Sequence, residues 1–66
     1  MEEMDVRRAA HALLKRRGDD ADFVAARYAD AQLANGNQRG CSEWLRVKRA
    51  VETLRHKKLR EGEAVN

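Results

Sequence analysis

An all-α fold is predicted by three observations on this 66-residue sequence. Large apolar residues recur at helical intervals in three separate stretches, and no stretch alternates as a strand would. Proline is absent, and Gly18 and Gly36 fall between the stretches. Alanine supplies much of the 42% hydrophobic content; it is the strongest helix former but contributes little burial. A chain this short holds one domain and buries a smaller share of its surface than larger domains do. The expectation is one small three-helix domain over 1–60, with helices near 3–17, 20–35 and 38–60 and a flexible tail at 61–66. Self-association is a natural way to complete so small a core.

The first stretch places Val6, Ala9, Ala10, Leu13 and Leu14 on one helical face. Acidic residues fill its first turn and Lys15, Arg16 and Arg17 its last, an order that complements the helix dipole. Gly18 supplies the stop. In the second stretch Asp19 and Asp20 are candidate caps, and Ala21, Val24, Ala25, Tyr28, Ala29 and Leu33 form the apolar set. The small residues along this seam let another helix approach closely. Asn35-Gly36-Asn37 ends it, with Gly36 suited to a left-handed conformation and Asn37 to capping the next helix.

The third stretch carries Trp44, Val47, Val51 and Leu54 on one stripe and Arg46, Arg49, Thr53, His56 and Arg60 on the opposite one, with Lys57 alongside. The predicted core is Leu13, Leu14, Val24, Tyr28, Trp44, Val47, Val51 and Leu54. Trp44 reads as its anchor, because base stacking would ask for a second aromatic nearby and Phe23 and Tyr28 lie on another stretch. Leu45 and Leu59 sit off the core line as a candidate self-association seam.

The net charge of +3 hides a blocky pattern: −3 over 19–36 against +6 over 37–60. The basic face of the third helix, Arg46, Arg49, His56, Lys57 and Arg60, with Lys48, Arg55 and Lys58 on its flanks, is the strongest functional signal, since attraction to a polyanion needs several cations on one accessible face. A helix-turn-helix reading fits poorly: counting from Gly36, Gln32 and Ser42 stand where a small and an aliphatic residue are wanted, and counting from Gly40, Gly36 and Arg46 do.

Other chemistries lack their parts. Cys41 has no histidine nearby in sequence to act as base, and Cys41, His11 and His56 have no zinc-ligand spacing. Asp19, Asp20 and Asp22 do not continue as a calcium loop, since the twelfth position is Asp30 rather than Glu. No cofactor, metal or catalytic set is expected, and an enzyme is the least supported class. A single cysteine, no apolar leader and no long apolar run point to a cytoplasmic protein that does not enter membranes.

Gly36-Asn37, Gly40, Trp44, Val47, Ala50-Val51 and Leu54, preceded by Gly18-Asp19 and the spaced Ala21, Ala25 and Ala29, resemble a group of short uncharacterised bacterial proteins described as a domain of unknown function. The similarity spans about Ala9 to Leu54. Asn37 stands where that pattern has Asp, one cap replacing another. The shared positions are helix stops, caps and core residues, so the resemblance implies the helical layout and no activity. The functional expectation is a non-enzymatic interaction or regulatory module whose third helix binds an acidic partner, a protein before a nucleic acid. The further alternative is a structural homo-oligomer built on Leu45 and Leu59.

Overall fold

The computed structural model of the chain describes residues 2–65, with the side chains of Glu3 and of residues from 57 onward excepted. The described chain is all helical. Helix α1 runs Glu3–Arg17, a 3-10 turn spans Gly18–Asp20, α2 runs Ala21–Ala34 and α3 runs Gln38–Val65. Because the 3-10 turn follows α1 and leads into α2 without an intervening loop, the first two helices form one bent helical arm, and α3 is the long helix it folds against. The three helices that the sequence suggested are therefore better described as one bent arm and one long helix. The helix expected over 38–60 continues to Val65. Lys57, Lys58, Leu59, Arg60 and the tail expected at 61–66 lie outside the residues whose side chains are described.

The bend at the first junction depends on Gly18, whose φ of 56° lies in the left-handed region that side chains other than glycine adopt with strain. Its amide donates to the Leu14 carbonyl and closes α1. The Asp20 side chain makes no capping bond, contrary to the role expected of it. In the 3-10 turn the Ala21 amide donates to the Gly18 carbonyl instead.

At the second junction the expected punctuation is in place. Gly36 has φ 78°, its amide donates to the Leu33 carbonyl at 2.9 Å, and the Asn37 amide donates to the Gln32 carbonyl at 2.8 Å. Two carbonyls of the α2 terminus are thus satisfied in one turn. Asn37 then caps α3, its Oδ1 accepting from the Gly40 amide at 2.9 Å, while its Nδ2 donates to Gln32 Oε1 at 2.8 Å. A Cβ on Gly40 would sit 2.7 Å from Asn37 Nδ2 and 2.8 Å from Gln32 Oε1, so a side chain there would displace the ends of both.

The core differs from the predicted set. Val6, Ala10, Ala21, Ala25, Ala29, Val47 and Val51 are buried, and Leu13, Leu14, Trp44 and Leu54 are partly buried against them. Tyr28, expected inside, is 46% exposed, and Val24 is half-buried outside the main cluster. The reason lies in the alanines at four-residue steps. Ala21, Ala25 and Ala29 are the buried line of α2, and Val47 and Val51 are fully buried in the same core, so Val24 and Tyr28, one position off that line, are left on the flank. Tyr28 covers Trp44 from there, with ring centroids 4.7 Å apart and planes tilted by 43°. The two aromatics that sequence distance had separated are neighbours.

A candidate interaction groove between α1 and α3

On the side of α3 that faces α1, the two helices leave an open groove of about 660 Å³. Helix α1 contributes Val6, Arg7 and His11, and α3 contributes Arg46, Arg49, Ala50, Thr53 and Leu54. The helical period explains the division of labour. Val6, Ala50 and Leu54 belong to the core cluster and its margin and form an apolar floor, while Arg7, Arg46 and Arg49, each one to four positions away, are exposed. No carboxylate lines this groove, and among the described residues Arg7 and Arg49 make no ion pair, while Arg46 is near enough to Glu43, outside the lining, to interact with its charge. The arrangement concentrates guanidinium groups around an apolar strip.

Of the predicted basic face, Arg46 and Arg49 come together here and Thr53 joins them. His56 is exposed but is not part of the groove lining, and Lys57 and Arg60 fall outside the described side chains. The flanking cations serve other ends. Lys48 Nζ lies 2.8 Å from Glu52 Oε1, and the hydrogen bond it donates to this carboxylate raises the lysine above its ordinary value. Arg55 turns back toward the bend. Its guanidinium donates to the carbonyls of Gly18 at 2.9 Å and Asp19 at 3.0 Å, and lies 3.3 Å from Asp22 Oδ1. Arg55 is thus a clamp on the α1–α2 junction and not part of the groove lining.

Asp22 responds to this clamp. Desolvation pushes its carboxyl up, but the Phe23 amide and the Arg55 guanidinium together outweigh that and hold it below the ordinary carboxylate value. Arg7 and His11 were missed by sequence reasoning because they stand nearly forty positions from Arg46. The available signal was weak: Arg7 lies one position from Val6 on an amphipathic helix, so it had to border whatever Val6 packed against.

A shallower hollow of about 310 Å³ is lined by Arg17, Val24, Arg27, Tyr28 and Ala31. Leu45, the predicted self-association residue, is 46% exposed, and its companion Leu59 lies outside the described side chains. Cys41 is a free, half-buried thiol. Among the described residues no three His, Cys, Asp or Glu side chains are placed to hold a metal ion, and no helix is long and apolar enough to cross a membrane. Comparisons with protein-family models, curated proteins and solved structures found no match.

Proposed function

We propose that this chain is a non-enzymatic interaction module that binds an acidic segment of another protein in the groove between α1 and α3. The observation that supports this reading is the groove lining itself: Arg7, Arg46, Arg49 and His11 around Val6, Ala50 and Leu54, with no acid among them. An apolar floor with a cationic rim suits an amphipathic helix that carries carboxylates beside its apolar stripe. Each guanidinium already sits on a helix, so little order has to be gained for it to meet a carboxylate.

Nucleic-acid binding is the second reading, favoured by the pair Arg17 and Arg27 at the other hollow, which extends the cationic surface beyond one groove. Phosphate contacts gain nothing from an apolar floor, and this places the protein ligand first. On its single cysteine we assign the module to a reducing, cytoplasmic compartment. Kinship with the short bacterial proteins of unknown function is likewise proposed, on the shared caps and core positions.

Fluorescence anisotropy with two probes tests the assignment: a labelled amphipathic peptide with Glu on one face and Leu on the other, and a labelled short duplex. The peptide binds the wild-type chain, and Arg46→Glu with Arg49→Glu weakens it by about a hundredfold, equivalent to about 2.7 kcal/mol. Equal peptide binding by that variant sinks the proposal. Tighter duplex binding, with a log–log salt slope near about −0.9 for each phosphate contacted, transfers the face to the nucleic-acid reading.

A further inference from the structure

The flank of the α2–α3 pair turned away from the groove has a different chemistry. On α2, Asp22, Ala26 and Leu33 are separated by four and seven positions and share a stripe. On α3, Leu45, Lys48, Glu52 and Arg55 follow at steps of three, four and three and share another. The 3.3 Å approach of Arg55 to Asp22 brings the two stripes side by side. Leu33 is 54% exposed and Leu45 46% exposed on this surface. Its charges cancel, with Lys48 and Arg55 against Glu52 and Asp22, whereas the groove on the far side is wholly cationic.

We infer that this flank is a self-association face on which two copies of the chain pair two-fold, the α2–α3 hairpins forming a four-helix arrangement with α1 outermost. The occupant follows from the charge pattern. A polyanion gains nothing from a neutral surface, and a strongly charged partner of either sign meets as many like charges as opposite ones. A second copy related by a two-fold axis brings the same balanced set, so that Lys48 of each protomer can exchange its Glu52 for that of the other, while Leu33 and Leu45 cover their counterparts. The need is equally plain. Among the described residues the only fully buried side chains larger than alanine are Val47 and Val51, and a two-helix face with one exposed leucine on each helix is what bundle formation covers. The inference is independent of the acidic-partner reading, because the groove stays open on the outer side of each protomer.

Sedimentation equilibrium of the full chain is the test, with circular dichroism to confirm helicity and the acidic peptide of the preceding section as an independent probe. The wild type sediments as a dimer, and Leu33→Lys with Leu45→Lys sediments as a monomer of unchanged helicity that still binds the peptide. Lys48→Glu alone weakens the dimer by at least tenfold, and adding Glu52→Lys restores it. A wild-type monomer at the highest soluble concentration overturns the inference, as does an assembly that grows past two. A dimer that survives both leucine replacements, or that ignores Lys48→Glu, does so too. Loss of peptide binding with the dimer intact would count against the groove alone.

Discussion

The two surfaces that α3 presents to the rest of the chain are built on opposite plans. Against α2 it meets alanine at every fourth position, and the seam is closed at one end by Asn37, Gly40 and Gln32 and at the other by Arg55 on Gly18, Asp19 and Asp22. Against α1 it meets Val6 and Ala10 in the core, but the outer half of that interface stays open and is lined by arginine. The first interface resists change in side-chain size because its closeness depends on the absence of side chains. The second has room to spare. Close packing and an open cationic groove are thus allotted to different partners of one helix.

The largest effect should come from breaking the close seam. Ala25 is fully buried between α2 and α3, and Ala25→Leu forces in atoms for which the helices must separate, at a cost of about 1–3 kcal/mol. Few domains of this size can lose that and remain folded. Ala12→Leu, on the exposed side of α1, adds the same atoms where nothing opposes them and should leave the stability within about 0.5 kcal/mol of wild type, with little change in the thermal midpoint. Thermal denaturation followed by circular dichroism compares the two. Equal midpoints would mean that the alanine line does not set the distance between the helices.

What sequence could and could not supply follows the same division. The ends of α1, the glycine punctuation and the Asn37 cap were legible because each is decided by residues within one turn of another. The buried alanines were visible as a seam, yet their consequence for Tyr28 was not. Periodicity identifies the apolar residues of a helix, but the line of closest approach depends on the partner, and alanines drew it away from the larger side chains. Arg55 illustrates the complementary limit. Sequence placed it on the flank of the basic face, as one more cation beside Arg46 and Arg49, while the carbonyls and carboxylate that hold it lie some thirty-five positions earlier. Arg7 and His11 escaped for the same reason. Only the fold brings α1 beside α3.

A smaller effect is expected at the clamp, where the close seam meets the bend. Arg55→Met keeps the aliphatic stem and removes two hydrogen bonds and the ion pair, and since both charged side chains are about one-third exposed, solvent screening limits the loss to about 1 kcal/mol. The pH dependence carries the signature. The folded pKa of Asp22 lies below its unfolded value of about 3.9, so its contribution is complete above that pH and disappears as pH falls through the folded value. Urea midpoints should therefore fall on acidification below about pH 4, and the Arg55→Met chain should show a shallower decline than wild type. Parallel profiles for the two chains would remove the Arg55 charge as the cause.

The finest comparison lies at the other end of the seam, where a propensity rule and a capping rule oppose each other at one residue. Alanine is favoured over glycine inside a helix by about 1 kcal/mol, so Gly40→Ala should stabilise α3 on propensity alone. Its Cβ, however, would stand 2.7 Å from Asn37 Nδ2 and 2.9 Å from Asn37 Cγ, and the asparagine must swing away from the amide it caps. Loss of that cap costs about 1 kcal/mol, so the two terms offset and Gly40→Ala should be nearly silent. The silence is informative only within a double-mutant cycle. Asn37→Ala should cost about 1 kcal/mol in the wild-type chain and almost nothing once Gly40→Ala is present, a coupling that equilibrium urea denaturation can resolve. Additive costs would mean that the asparagine finds another rotamer with its bond intact, and the glycine would then owe its place to the approach of Gln32 alone.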